Sequence, residues 1–214
     1  RVCSGGHAAL CRCASRTGLE LLGGTTADAA GEAFDKVASI LRLGYPGGPV
    51  IDKAARDGDP EAVDFPRALL KGRSLDFSFS GIKTAVLYHV EGVPGGRRGE
   101  TEPPKGIESL NEKEVADIAA SFQAAVVDVL RIKLRRAAEA TGARTLILGG
   151  GVSANSALRA AATKLADQLG CTLRLPELRF CVDNAAMIAG LGWHDLRAGR
   201  TDGLDLAAQA TVRR

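Results

Sequence analysis

The sequence predicts an α/β protein, and three observations lead to this fold class. In the C-terminal half, two short apolar segments flank a segment with helical periodicity, which predicts a β-α-β unit and therefore two parallel strands. In the N-terminal part, two apolar segments on either side of a short polar turn predict a β-hairpin. Between these regions, apolar residues recur at the spacing of amphipathic helices.

The composition is that of a globular protein. The 214 residues are 45% apolar and 25% charged, which excludes collagen-like and disordered chains. A net charge of +3 is too small to indicate nucleic-acid binding by itself. No apolar run approaches the roughly 18 residues that span a bilayer, so we expect no membrane contact and a cytoplasmic location. The five cysteines form no metal-binding spacing, which indicates reduced thiols.

The first predicted elements are a hairpin and a helix. The hairpin strands cover residues 8–13 and 19–22. A helix over 25–43 follows, because alanine, phenylalanine, valine and isoleucine recur there every three or four residues. Either Thr25 or Thr26 is predicted to be its N-cap, since threonine hydroxyls accept hydrogen bonds from the first turn of a helix. A glycine and a proline then end the helix.

The segment after this helix contains shorter elements. A rigid turn at 45–49 leads into a short helix, and residues 57–73 lack periodicity and are predicted to be a loop. Alternating apolar and polar residues over 75–80 predict a half-buried strand. Gly81 is predicted to end this strand, and 82–90 to be helical.

The C-terminal half carries the clearest helix signals. The Gly/Pro-rich stretch 91–108 is predicted to be an exposed loop. The longest helix is predicted over 111–141, with Asn111 and Glu114 forming a capping box. The remaining elements are a strand over 145–148, a helix over 153–169, a strand over 171–175 and a last helix over 183–198. Asp183 is predicted to be the N-cap of that last helix.

Two glycine turns are candidate ligand sites. The glycines at 149–151 connect a buried strand to a helix, so backbone N–H groups and the positive end of the helix could meet a phosphate. The spacing is neither a P-loop nor G-x-G-x-x-G, and a tight turn that binds nothing is the alternative. The turn at 4–7 could hold an anion on its backbone N–H groups or be an ordinary turn.

Carboxylates gather around the Pro-Gly-Gly turn. Asp28, Glu32, Asp35 and Asp52 could grip ribose hydroxyls or amino groups, but their spacing alone favours a solvated helix face. The three histidines are far apart in sequence and form no metal-binding pair. They are His7, His89 and His194. The motifs of zinc proteases and serine hydrolases are also absent from the sequence.

Six motifs occur together in one order. They are Ser4-Gly5-Gly6-His7, Asp28-Ala-Ala-Gly-Glu-Ala-Phe-Asp35-Lys36, Tyr45-Pro-Gly-Gly-Pro49, Asp76-Phe-Ser-Phe-Ser-Gly-Ile-Lys-Thr84, Gly149-Gly-Gly-Val-Ser-Ala-Asn155 and Cys181-Val-Asp-Asn-Ala-Ala-Met-Ile-Ala189. With them the chain resembles the TsaD family, the tRNA N6-adenosine threonylcarbamoyltransferases. The resemblance implies an actin/Hsp70-like (ASKHA) fold of two ribonuclease-H-like lobes. It also implies an acyltransferase that moves a threonylcarbamoyl group from threonylcarbamoyl-AMP to N6 of the adenosine next to the tRNA anticodon.

The resemblance also implies residue roles, although it identifies no catalytic side chain. The implied substrate-binding residues are Val2, Cys3, Ser4, Gly5 and Gly6 for the adenylate intermediate, Asp35, Gly48 and Asp52 for its nucleoside, and Asn155 from the other lobe. Asp183 would be one ligand of a divalent metal ion, iron in preference to zinc. These roles replace the interpretations of Asp35 and Asp52 as a solvated face and of Asp183 as a helix cap alone.

The chain departs from the family pattern at its N-terminal end. The family's H-x-x-x-H motif, which supplies the other two metal ligands, lies upstream of the Ser-Gly-Gly-His turn, and here only three residues precede that turn. We therefore expect a C-terminal fragment without roughly the N-terminal third, inactive in transfer by itself. The expected domains are 1–50 as the remainder of an incomplete first lobe, 51–182 as the second lobe, and 183–214 as a helix and tail that return to the first lobe.

Partners and alternatives follow from the same resemblance. For the full-length protein we expect tRNA as substrate, a TsaB-like paralogue of the same fold and a TsaE-like ATPase. One alternative function is a non-catalytic, nucleotide-binding remnant. The other is a sugar kinase of the same fold that uses the triple-glycine turn for adenosine.

Overall fold

The computed structural model describes residues 2–3, 7–68, 70, 72–92 and 106–207, and they form an α/β structure as predicted. The strands are β1 Val2–Cys3, β2 Ala9–Cys13, β3 Leu19–Ala27, β4 Phe77–Ser78, β5 Thr145–Ile147 and β6 Thr172–Arg174. The α-helices are α1 Ala30–Ile40, α2 Gly47–Ala54, α3 Ser80–Glu91, α4 Glu112–Thr141, α5 Ser156–Leu169 and α6 Ala185–Arg197. Short 3-10 segments lie at Ala55–Asp57, Ile107–Ser109, Gly151–Ala154 and Leu178–Phe180.

The strands form two sheets within the described residues. In the first sheet, β1, β2 and β3 are antiparallel, which confirms the predicted hairpin, and β4 joins β3 in parallel. In the second, β5 and β6 are parallel, with Leu146 opposite Leu173. Helix α5 connects them, so the predicted β-α-β unit is confirmed.

The hydrophobic core is built mainly from alanine and branched aliphatic side chains around the long helix α4. This helix packs against α2, α3, α5 and β2. The rings of Phe34 on α1 and Phe122 on α4 meet edge to face, with their centroids 5.2 Å apart. Leu10 from the first sheet and Leu146 from the second are both buried in the same core. The core therefore fixes α1 and α4 relative to both sheets.

The predicted start of the first helix was wrong. Strand β3 extends through the segment predicted as the first turn, and α1 begins only at Ala30. The Thr25 hydroxyl donates to the carbonyl of Ala8 and accepts from its N–H, and the Thr26 hydroxyl donates to the carbonyl of Phe77. Both threonines therefore tie strands together and cap no helix.

Two further boundaries differ from the predictions. Helix α3 begins at Ser80 and contains Gly81, and only Phe77–Ser78 of the predicted strand are in the sheet. Helix α6 is capped by Asn184, whose side-chain oxygen accepts a backbone N–H of the first turn at 2.9 Å. The prediction that Asp183 caps this helix was therefore wrong. Asp183 lies one residue outside the cap.

The longest helix was predicted correctly. The side chain of Asn111 accepts from the N–H of Glu114, and the carboxylate of Glu114 accepts from the N–H of Asn111, both at 2.9 Å.

Within the predicted loop at 91–108, residues 93–105 lie outside the described residues. None of the helices in the described ranges is both long and apolar enough to cross a bilayer.

Candidate functional site

The first part of the candidate site is the junction between α1 and α2. Asp35 on α1 accepts a hydrogen bond from the N–H of Gly47, at 2.7 Å. An added Cβ on Gly47 would lie 2.5 Å from both the Cα of Asp35 and the carbonyl oxygen of Phe34. An added Cβ on Gly48 would meet nothing within 4 Å. The first turn of α2 is thus fixed against Asp35, and its second residue lies beside open space.

The second part is the contact between α2 and the N-terminus of α5. One carboxylate oxygen of Asp52 accepts from both the backbone N–H (3.2 Å) and the hydroxyl (2.7 Å) of Ser156. The guanidinium of Arg56 lies 4.0 Å from the other oxygen. A carboxylate at a helix N-terminus is favoured by the helix dipole. Asp52 therefore joins two elements that are 104 residues apart in sequence.

Asn155 fixes the same end of α5 from inside the protein. Its side-chain oxygen accepts from the N–H of Leu158 at 2.9 Å, which caps the helix. Its side-chain amide donates to the side-chain oxygen of Gln123 on α4 at 2.6 Å. Both side chains are buried. The residue expected to contact substrate thus also anchors its own loop to α4.

Replacement of Asn155 by alanine tests this anchoring role. We expect Asn155→Ala to lower the free energy of unfolding by about 2–4 kcal/mol, because it removes a helix cap and leaves the buried amide of Gln123 without its partner. Urea-induced unfolding measures the loss. The control is Asn184→Ala, which removes a cap from the exposed helix α6 and should cost about 1 kcal/mol or less. Equal losses in the two variants would contradict the anchoring role.

The glycine turn between β5 and α5 forms the edge of this region. Gly150 has a φ of +86°, a conformation that glycine adopts without strain. Residues Gly151–Ala154 form a 3-10 turn, so α5 begins at Ser156 and not at 153 as predicted. Two N–H groups of the first turn of α5 already bind the side chains of Asp52 and Asn155. Protein acceptors thus occupy part of the predicted phosphate site.

The predicted acidic cluster divides into two groups. Lys36 forms ion pairs with Asp28 at 2.8 Å and with Glu32 at 2.7 Å, and these hydrogen bonds raise the pKa of Lys36. Asp35 and Asp52 instead bind the backbone N–H groups described above. The structure therefore brings Asp35, Gly48, Asp52 and Asn155 to the contacts of α2 with α1 and α5, whereas Asp28 and Glu32 pair with Lys36.

Asp183 does not form a metal centre with the other described residues. Its side chain is exposed, in the segment between Leu178–Phe180 and α6. The described ranges contain no cluster of three or more histidine, cysteine, aspartate or glutamate side chains that could hold a metal ion. A single carboxylate does not make a stable metal site. The described residues therefore do not fit a bound divalent ion by themselves, and we assign no chemical step to one.

The remaining predicted residues lie at the N-terminal end. Val2 and Cys3 form β1, but their side chains, and all of Ser4, Gly5 and Gly6, lie outside the described residues. Sequence analysis also missed two residues of the site, Gln123 and Ser156. Gln123 is a polar position within the predicted helix 111–141, and Ser156 lies near the start of the predicted helix 153–169. Only the fold reveals their partners.

Comparison with known proteins adds an independent observation. The sequence model of the TsaD family, described as tRNA N6-adenosine threonylcarbamoyltransferase, matches residues 2–190. The chain belongs to the TsaD family. The resemblance seen in the six motifs is thereby confirmed, since all of them lie within the matched range. The description of the matching family names a threonylcarbamoyltransferase and not a sugar kinase.

Curated relatives of the chain carry the name that describes this family. The chain is 51% identical over 207 residues to a tRNA N6-adenosine threonylcarbamoyltransferase from Symbiobacterium thermophilum, covering 97% of the chain and 56% of the relative. It is 47% identical over 215 residues to one from Anaeromyxobacter dehalogenans, covering 99% of the chain and 60% of the relative. One from Clostridioides difficile is 44% identical over 207 residues, covering 97% of the chain and 57% of the relative. The chain thus spans little more than half the length of these TsaD proteins.

Proposed function

We propose that these residues belong to an enzyme that transfers a threonylcarbamoyl group from threonylcarbamoyl-AMP to N6 of the adenosine next to the tRNA anticodon. The observation that carries the proposal is the TsaD family match over residues 2–190. The geometry supports it, because the residues expected to hold a nucleoside lie around one junction. Asp35 binds the N–H of Gly47, the residue before Gly48, where α1 contacts α2, and Asp52 joins α2 to α5.

The two aspartates have the chemistry that a nucleoside requires. Each binds protein N–H or O–H groups through one carboxylate oxygen. An ionised carboxylate has about four acceptor positions, so the second oxygens of Asp35 and Asp52 can accept from ribose hydroxyls. The reaction joins adenosine N6 to the carbamoyl carbon, breaks the bond from that carbon to the phosphate oxygen, and releases AMP and the N6 proton. We assign to these aspartates the binding of the adenylate and not the proton transfer.

The longer enzyme would supply what the described residues lack. We propose that Val2, Cys3, Ser4, Gly5 and Gly6 contact the adenylate. We further propose that Asp183 is one ligand of a divalent ion, iron in preference to zinc, whose other protein ligands lie outside the 214 residues.

The family match also supports the proposed lobes, with 1–50 in the first lobe, 51–182 in the second and 183–214 returning to the first. Helix α6 exposes a set of large apolar side chains, which indicates that it packs against structure outside the described residues. They are Met187, Ile188, Leu191, Trp193 and Leu196.

The proposed partners of the longer enzyme are tRNA, a TsaB-like paralogue and a TsaE-like ATPase, and its proposed location is the cytoplasm.

A transfer assay with two proteins tests the proposed function. One protein is the 214-residue chain, and the other joins it to the part of the Symbiobacterium thermophilum relative that the match leaves uncovered. Both are incubated with unmodified tRNA and threonylcarbamoyl-AMP labelled in the threonine. We expect label in tRNA only with the joined protein. Absence of transfer by the joined protein, when the relative itself is active, would favour the non-catalytic alternative.

The role of the aspartates is tested by nucleotide affinity. We expect Asp35→Asn and Asp52→Asn each to weaken AMP binding by about tenfold, because a charged acceptor contributes about 1.5–3 kcal/mol to a hydrogen bond. Isothermal titration calorimetry measures the affinity. The control is Asp167→Asn, which changes an exposed carboxylate on α5 and should leave the affinity unchanged. If all three variants bind AMP as the parent does, the aspartates are not part of the binding site.

A further inference from the structure

Arg159 on α5 holds three separate pieces of backbone with one guanidinium group. Its Nε donates to the carbonyl of Ser153 at 2.7 Å, and a terminal nitrogen donates to the carbonyl of Pro176, also at 2.7 Å. The same terminal nitrogen lies 3.3 Å from the sulfur of Cys181. The guanidinium thus joins the 3-10 turn before α5 to both ends of the segment 176–181.

Cys181 completes this contact from the opposite side. Its buried sulfur accepts from the hydroxyl of Ser153 at 3.4 Å and lies 3.6 Å from the carbonyl of Glu177. Ser153 therefore contacts Arg159 through its carbonyl and Cys181 through its hydroxyl. We define these three residues, Ser153, Arg159 and Cys181, as the arginine clamp.

The arginine clamp acts on the loop that ends in the proposed substrate-binding residue. The turn Gly151–Ala154 leads directly into Asn155 and Ser156. On one side of this loop, Gln123 and Asp52 hold those two residues. On the other side, the clamp holds Ser153. Both sides must stay in place for Asn155 and Ser156 to keep their position next to α2.

The planar shape of the Arg159 guanidinium explains how one side chain can hold the turn Gly151–Ala154 and the segment 176–181 at a fixed distance. Among the described residues, no carboxylate lies within ion-pair distance of Arg159, and its hydrogen bonds go to two backbone carbonyls and the sulfur of Cys181. The planar guanidinium presents donors in fixed directions, whereas a lysine ammonium is a point charge on a flexible stem. The directions of the donors, and not the charge alone, therefore set the distance between the turn and the segment 176–181.

We propose that Arg159 is a positioning residue, which fixes the turn Gly151–Ala154 so that Asn155 and Ser156 face a nucleotide bound at the α1–α2 junction. This inference rests on the proposed function, because it needs a nucleotide at that junction. It assigns no contact between Arg159 and the nucleotide. The arginine acts through Ser153 and through the segment that Cys181 anchors.

The test compares AMP affinity in three variants of the 214-residue chain. We expect Arg159→Ala to weaken AMP binding by about tenfold, as the loss of charge-assisted hydrogen bonds implies, and Arg159→Lys to restore little of it. The control is Arg131→Ala on α4, which removes a guanidinium that donates a hydrogen bond to Asp128, one turn away on α4. We expect its affinity to match that of the parent. Equal affinity of Arg159→Ala and the parent would overturn the proposal.

Chemical rescue separates positioning from a general loss of stability. Methylguanidinium at a concentration that leaves the parent folded should restore most of the AMP affinity of Arg159→Ala, and methylammonium should not, because only the former reproduces the planar donors. Rescue by both cations, or by neither, would overturn the positioning role.

Amide hydrogen exchange gives a readout that does not depend on nucleotide. We expect the amides of 150–156 to exchange about tenfold faster in Arg159→Ala than in the parent, while those of 116–138 in α4 stay unchanged. If the parent binds no AMP but the amides of 150–156 still exchange faster in Arg159→Ala, the arginine clamp is supported and the proposed nucleotide site is wrong. Unchanged protection of 150–156 would overturn the clamp itself.

Discussion

Replacing Gly47 with alanine is expected to lower the free energy of unfolding by about 3 kcal/mol, the upper part of the range for an overpacked interior. The new Cβ would lie 2.5 Å from the Cα of Asp35 and from the carbonyl oxygen of Phe34. Both are backbone atoms of α1, so no side chain can rotate away. Helix α2 must move as a whole, which also weakens the hydrogen bond from Gly47 to Asp35. Urea-induced unfolding measures the loss.

The neighbouring glycine provides a matched control. An added Cβ on Gly48 meets nothing within 4 Å, and alanine is a better helix former than glycine by at most about 1 kcal/mol. We therefore expect Gly48→Ala to keep or slightly raise the stability. If the open space beside Gly48 receives the nucleoside, the same variant should bind AMP at least about tenfold more weakly. A stable Gly47→Ala variant, or unaltered AMP binding by Gly48→Ala, would contradict this description of the junction.

Sequence analysis succeeded where neighbouring residues decide the structure. The capping box of Asn111 and Glu114 needs only residues three apart, and it begins α4 as predicted. The β-α-β unit depends on a continuous pattern of apolar residues, and its parallel pairing is confirmed. The turn that brings Gly47 to Asp35 spans only 12 residues. Local signals of this kind also placed Glu32 and Asp35 on α1 and Asp52 on α2, whereas Asp28 lies before α1 and not in its first turn as predicted.

The predictions failed where a distant partner decides between two local possibilities. Threonine suits both a helix cap and a strand, and Thr26 is in a strand because its hydroxyl reaches Phe77, 51 residues away. Asp183 and Asn184 are both good helix caps, and the sequence does not distinguish them. The contact of Asp52 with Ser156 spans 104 residues, and nothing in either segment indicates the other. The site is therefore assembled by tertiary contacts that periodicity does not encode.

The second large effect is expected at Lys133, a lysine of α4 that is fully buried. Its ammonium donates to the carbonyl of Ser74 at 3.3 Å and to that of Asp76, and it lies 5.5 Å from the centroid of the Phe77 ring. Asp76 in turn accepts from the N–H of Gly24 in β3 at 3.0 Å. Lys133 thus holds the segment before β4 between the long helix and the first sheet.

Removal of this lysine should destabilise the fold strongly. We expect Lys133→Ala to lower the free energy of unfolding by about 3–4 kcal/mol, because it leaves a cavity in the core and removes the hydrogen bonds to the carbonyls of Ser74 and Asp76. Lys133→Met keeps most of the volume and should cost about 2 kcal/mol. The control is Lys164→Met at an exposed position of α5, expected to stay within about 0.5 kcal/mol of the parent. A loss at Lys133 no larger than that of the control would contradict the structure.

The contribution of Lys133 should also depend on pH. Burial, with a smaller effect of the Arg136 charge, lowers the pKa of Lys133 below its usual 10.5, and the charge of Asp76 opposes the shift. Between the folded pKa and the unfolded value, the unfolded chain binds more protons than the folded one, so this lysine adds stability as pH rises through that window. Lys133→Met lacks the titrating group. The stability of the parent relative to this variant should therefore increase from about pH 7 to about pH 10, as measured by urea unfolding of both proteins in matched buffers. A difference that stays constant over this range would mean that the lysine keeps its ordinary pKa in the folded protein, and a difference that shrinks would mean that its pKa is raised there.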